Sequence, residues 1–386
     1  MAFSLACDAG KTTLRIEGTD SSVTWNDVAN AGAGSVAVDG GGTEDPSFFV
    51  TEHIANAVYQ ILKNIQFGDG TNALIFCSKK EMVYFDDNQT FVLQSNVTLQ
   101  LGEKVDDWGK NGSYWRFNFG SSSSYNVIPT GRSNVNLLIY GSTLFSAGNK
   151  GFRTYASTRE FLNSIITTSA STFQFYCLNA NNSVIMRRCY IAGGFSLRFY
   201  DSPVAIEDVH IHDTTYGLEF GGASGSYRNL RITSSDTQIR QFGGTGVIGN
   251  IINPVGNITA VEINEDASAI NEQRTCDIHV VDKDGNNLED VTVTCEDEDN
   301  NEVFSVQTDV NGVIAQQTIT YKQWEGTDET ETEYSPHKFI FSKNGYTLLV
   351  MENVTVDARI NWDVEVKFPE RIRARMANPG RLAILR

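Results

Sequence analysis

Phe175-Tyr-Cys-Leu178, Ser196-Leu-Arg-Phe199, Gly217-Leu-Glu-Phe220 and Gln238-Ile-Arg-Gln241 recur at a step of 21 residues. The second position reads Tyr176, Leu197, Leu218, Ile239 and the fourth Leu178, Phe199, Phe220, Gln241. Apolar residues alternating with polar ones are the mark of a strand with one buried face. A second register runs beside the first. Cys189, Val209, Leu230 and Ile251 are followed by Ile191, Ile211 and Ile232 at the next inward positions. Each unit thus holds at least two short strands, separated by turns such as Asn181-Asn182 and Gly221-Gly222. A unit of that length with no helix is one turn of a β-solenoid, whose stacked turns bury a stripe that no single turn could bury.

Working outward, the register is firm over 173–253. Weaker rungs reach back to about residue 74 through Asn96-Val-Thr-Leu-Gln-Leu-Gly102, Asn134–Gly141 and Phe161–Thr168. Residues 103–133, rich in Gly, Ser, Trp and Tyr, read as a loop between rungs. Upstream, Ile54, Val58, Ile61 and Leu62 recur at helical spacing within Ser47–Lys63. The spacing predicts an amphipathic helix that caps the open end of the solenoid, where strand edges need cover. The expected chain is all-β: 1–73 an N-terminal region with a short helical cap, 74–260 a parallel β-helix, 270–366 a small β-sandwich, and 367–386 a basic arm.

Charge divides the chain in the same way. Residues 270–366 carry 21 acids and 6 bases, whereas 367–386 carry 6 bases and 1 acid, within an overall net charge of −17. An acidic body repels nucleic acid, so none is expected as a partner. No apolar run approaches the length of a membrane helix. The start, Met1 to Cys7, lacks the basic lead and the length of a signal peptide. The six cysteines form no CxxC pair and read as buried thiols, with a Cys276–Cys295 disulfide left open.

Two resemblances sharpen this reading. Strand Cys276–Val281, turn Asp282-Lys-Asp-Gly285, strand Leu288–Thr294, turn Thr308-Asp-Val-Asn-Gly312 and the ending Lys343-Asn-Gly-Tyr346 follow one known pattern. That pattern resembles the carboxypeptidase-regulatory-like (transthyretin-like) β-sandwich family, over about 85 residues. Glu289-Asp290 and the acidic insertion Trp324–Glu333 depart from it. The resemblance implies a non-catalytic spacer or binding module. The repeat region is similar to the pectate-lyase-like right-handed β-helices of phage tail and virion proteins. That likeness implies a virion component that meets other virion proteins and forms a homo-oligomer, a trimer being one arrangement open to it. It leaves activity open, because the fold hosts many functions.

For chemistry, a polysaccharide-cleaving enzyme needs converging carboxylates. Asp106 and Asp107 are the catalytic candidates, with Trp108, Tyr114 and Trp115 as rings to stack on a surface polysaccharide. Glu207 and Asp208 are expected on opposite faces of their strand. Cys177, Arg198, Glu219 and Arg240 read as an outer charge ladder, either an ion-pair ladder that sets register or one wall of a groove. His210-Ile-His212-Asp213 puts two imidazoles on one face, but no third ligand completes a metal set. Asp282-Lys-Asp-Gly-Asn-Asn287 has the flavour of a calcium loop, yet Val293 stands where an EF-hand needs Glu. Neither metal nor cofactor is expected. In the arm, Arg371, Arg373, Arg375, Leu382 and Leu385 are the candidates for docking on an acidic neighbour. A virion structural or adhesive protein is therefore the leading expectation, and a tailspike-type lyase or glycoside hydrolase the alternative.

Overall fold

The computed structural model describes residues 3–19, 21–104, 112–117, 125–128, 132–146, 152–155, 158–169, 174–178, 184–194, 196–200, 203, 205–367, 374–378 and 381–384. It divides into two units, one of Met1–Asn271 with Trp324–Glu331, the other of Glu272–Gln323 with Thr332–Arg386.

The first unit is a parallel β-solenoid of about seven turns. Each turn contributes one strand to each of three sheets. Strand Ala205–Glu207 leads to His210–His212 and then to Tyr216–Gly221. The next turn repeats this as Gly225–Arg228, Arg231–Thr233 and Thr237–Gly243. Inward residues stack rung on rung: Ile191 on Ile211 on Ile232, and Leu197 on Leu218 on Ile239.

The corners explain why these residues turn where they do. Gly141, Asn163, Arg188, Asp208, Asn229 and Asn253 each follow a strand of one sheet and each adopt positive φ. Asn and Asp tolerate that conformation better than most residues. The corner N–H then bonds the neighbouring rung, as in Asn163 to the Arg187 carbonyl (3.0 Å) and Asn229 to that of Ile252 (2.9 Å). A second column, just inside the corner, runs Glu81, Ser113, Ser142, Ser164, Cys189, Val209, Leu230, and every member is buried. Consecutive rungs are tied beside it, for example Tyr190 N–H to Ser164 O and His210 N–H to Cys189 O, each 2.9 Å.

Four expectations are corrected. Ser47–Lys63 is not a helix: it forms a 3-10 turn at Pro46–Phe48, then strands Val50–Ile54 and Val58–Ile61 paired antiparallel. Val58 and Ile61 point to opposite faces of a strand, so the apparent helical spacing arose from a hairpin. The helix lies earlier, at Trp25–Ala29, opened by a Thr24–Asp27 capping box. Its fully buried Trp25 packs on Phe76 (4.9 Å between centroids), Trp115 (5.8 Å) and Phe67 (6.0 Å). Next, the earliest quoted repeat is one residue out of register: Phe175, not Tyr176, pairs with Leu197, and Tyr176 pairs with Arg198. Third, Ile251 stacks on Tyr227 in a different sheet from Ile232. Last, residues 103–133 are not simply a loop, since Tyr114–Phe117 and Tyr125–Ile128 are rungs.

The acidic insertion has a definite place. Trp324 is 5% exposed within the solenoid's core cluster, and its Nε1 donates to Glu331 (3.0 Å). Gly326 N–H donates to the Ser268 carbonyl (3.1 Å).

In the second unit, strands Glu302–Gln307, Thr292–Glu296, His337–Ser342 and Leu349–Val354 form a four-stranded antiparallel sheet in that order. Ile360–Glu365 pairs in parallel with the part of Ala269–Val281 from Cys276 on. Cys276, Ile278, Val293, Cys295, Ile319, Phe339, Phe341 and Ile360 close one core. Cys276 and Cys295 are buried free thiols, on strands of different sheets. Residues Ala374–Asn378 and Arg381–Ile384 pair as a hairpin.

Candidate functional site

The chemistry-bearing surface is built by the nine-stranded sheet. In parallel strands stacked in register, alternate residues face out and form columns along the solenoid. One outward column is Val58, Met82, Tyr114, Thr143, Ile165, Tyr190, His210, Arg231. The other is Gln60, Tyr84, Arg116, Phe145, Thr167, Ala192, His212, Thr233. Neither column contains an Asp or Glu, in a chain of net charge −17. The contrast with the other sheets is direct: Glu160 and Glu207 stand on one and Glu219 and Glu262 on the other.

Rings and cations interleave on this face. Tyr84 and Tyr114 lie 6.0 Å apart, Arg116 sits 5.7 Å from the Phe145 ring, and Tyr190 meets His210 edge-on at 5.1 Å. Flat aromatic faces with donors beside them suit sugar rings, which offer C–H faces and hydroxyl edges. A pocket of about 540 Å³ adjoins the columns, lined by Tyr84, Phe85, Asp86, Asp87, Gln89, Arg116 and Phe117. The Asp86 carboxylate there accepts the Gln60 amide at 2.6 Å.

Of the residues singled out from sequence, Tyr114 lies on this face, half-buried. Trp115 does not: it is fully buried, and its Nε1 donates to Ser78 Oγ at 3.0 Å. Adjacent strand residues face opposite sides, so both rings could not be outward. Asp106, Asp107 and Trp108 lie outside the described residues, as do Arg371, Arg373 and Leu385. Arg375 and Leu382 fall in the two strands of the C-terminal hairpin.

The charge ladder is not an outer stripe. Glu219 is fully buried between Arg198 (2.6 Å) and Arg240 (3.1 Å), and Arg240 continues to Glu262 (2.8 Å). The Arg198 and Arg240 guanidinium groups lie over Phe242 (4.1 Å) and Tyr216 (4.3 Å). Pairing along the rungs with rings overhead makes this ladder a register device. Glu207 pairs with Arg187 (2.9 Å), and Asp208 takes the corner conformation, accepting from Asn229 (2.9 Å). The Asp282 carboxylate is engaged by the backbone N–H groups of Asp284 and Asn286 (2.8 and 2.9 Å). It therefore shapes a turn. Among the described residues no group of three or more His, Cys, Asp or Glu is placed to hold a metal.

Sequence reasoning missed Glu81. It is 6% exposed, and its carboxylate accepts from Ser78 Oγ (2.6 Å) in a cluster with Ser113 and Trp115. Burial pushes its pKa up to about 7, the Ser78 hydrogen bond working against the shift. No periodic signal marks a carboxyl that replaces serine in an inward column.

No family model matches the chain, and no curated protein matches it. Among solved structures, the Bacillus anthracis TIE protein is 22% identical over 29% of this chain and 20% of its own length, with a TM-score of 0.19. A score that low carries no argument about fold or function.

Proposed function

We propose that the protein is a structural and adhesive component of a bacteriophage particle, and that the outward face of its nine-stranded sheet contacts a surface polysaccharide. The acid-free aromatic and basic columns on that face carry the reading. A stacked solenoid holds such columns rigid, so little ordering entropy is lost on binding. The placement in a phage particle, among other virion proteins and as a homo-oligomer, is supported by the resemblance of the repeat pattern alone.

A second reading, a polysaccharide-cleaving enzyme, is favoured by one observation: Asp86, Asp87 and Arg116 share a pocket beside the columns. Glycosidases need two carboxyls flanking the scissile bond. Purified protein incubated with bacterial surface polysaccharides separates the two. Retention on the polysaccharide without release of reducing or unsaturated ends supports adhesion. Cleavage abolished in Asp86→Asn/Asp87→Asn overturns it in favour of the enzyme.

A further inference from the structure

Three successive strands of the sheet bring Tyr190, His210, His212, Arg231 and Thr233 together. Tyr190, His210 and Arg231 share one column, and His212 and Thr233 the other. Thr233 Oγ1 lies 2.9 Å from His210 Nε2 and 2.9 Å from His212 Nδ1. A hydroxyl has a single proton, so it donates to one imidazole and accepts from the other. While both rings are neutral, only one of the two remaining nitrogens, His210 Nδ1 and His212 Nε2, carries hydrogen. One added proton puts an N–H on both. The Thr233 hydroxyl thereby couples the rings into a pair of donors that is complete only when positively charged.

The surroundings set cation against cation. After burial, the Arg231 guanidinium and the His212 ring are what hold His210 below its ordinary range. Among the described residues, Asp208 and Asp213 occupy the corners next along the chain from His210 and His212. Asp213 Oδ2 lies 3.4 Å from His212 Nε2 and is largely exposed, and Asp208 is bonded to Asn229. Arg188 occupies the corner one rung from Asp208. Like charges gathered in columns that themselves hold no Asp or Glu are relieved by an anion, which would also favour the protonated imidazole.

We propose that this cluster binds the acid group of an anionic surface polysaccharide, with the Tyr190 ring beneath the adjoining sugar. This rests on the reading of the face as a glycan-binding surface, and it adds the ligand's charge and the residues that select it.

The test uses the full chain against immobilised hyaluronan (carboxylate), dextran sulfate (sulfate) and dextran (neutral), with single-stranded DNA as a fourth surface, at pH 6 and pH 8. The expected result is retention of an acidic polysaccharide that is about tenfold tighter at pH 6, a factor equivalent to one added charge-assisted contact. His210→Gln/His212→Gln should remove the pH ratio, and Arg231→Gln should weaken binding at both pH values. Arg228→Gln, on a different sheet, should match the wild type and shows that loss of any surface cation is not enough. Comparable binding of dextran and the acidic polymers overturns the anion site while the glycan face stands. A pH ratio that survives in the double histidine variant overturns it as well. Retention of none of the three polysaccharides overturns both, and a preference for DNA replaces the polysaccharide with a different partner.

Discussion

Two buried titratable side chains, one in each unit, should contribute to stability with opposite dependence on pH. Glu81 lies among serines and Trp115 with its pKa raised to about 7. As pH rises from about 4.5 the unfolded carboxyl ionises while the folded one keeps its proton, so the first unit loses stability up to about pH 7 and no more above it. The shift corresponds to about 3 kcal/mol. Glu81→Gln should flatten that slope, read as the urea midpoint of the first unit at pH 5 and pH 8. An unchanged slope would place the titration elsewhere. His337 in the second unit works the other way. It is 1% exposed, and burial holds its imidazole below the ordinary 6.5, with Asp297 opposing. The folded state therefore binds fewer protons, and stability falls as pH drops through 6.5. The protection of amides 337–342, taken relative to the intrinsic exchange rate at each pH, should fall on acidification in the wild type and stay level in His337→Gln.

Among the elements, a helix of five residues and a hairpin each send one tryptophan, Trp25 and Trp324, into the solenoid core. Replacing Trp25 by Ala removes a fully buried indole from a cluster of Phe67, Phe76 and Trp115, a change expected to cost about 3–5 kcal/mol. A loss of unfolding free energy below a quarter of that, obtained from the denaturant midpoint and slope, would mean that the rungs do not depend on Trp25. These elements also show what the sequence could and could not disclose. The rungs from 184 to 253 were legible because Ile191, Ile211 and Ile232 repeat at nearly constant spacing with period-2 burial. The Phe175 rung slipped by one because its step to Leu197 is a residue longer than the next, and a one-residue slip exchanges the faces. Ser47–Lys63 misled because four apolar residues in a hairpin can mimic helical spacing. The short Trp25 helix was invisible because five residues hold too little of a period to detect.

At the scale of the whole molecule, function was less legible than fold. Tyr114 could be placed near a ligand from its residue type, but Trp115 beside it faces the core, and only register tells the two apart. The outward columns gather residues from 58 to 233, far apart in sequence, so their lack of acids becomes visible only once the strands are stacked. On the proposed function, this face binds a surface polysaccharide without cleaving it. The most direct measurement is the affinity of the wild type and of Tyr84→Ala/Tyr190→Ala for a purified bacterial surface polysaccharide, with released ends assayed in the same samples. These half-buried, outward rings contribute stacking, expected at about 1–3 kcal/mol each by analogy with base–aromatic contacts. The double variant should bind at least about tenfold more weakly at unchanged thermal stability, with no released ends from either protein. Equal affinity of the two proteins, or release of ends by the wild type, would contradict it.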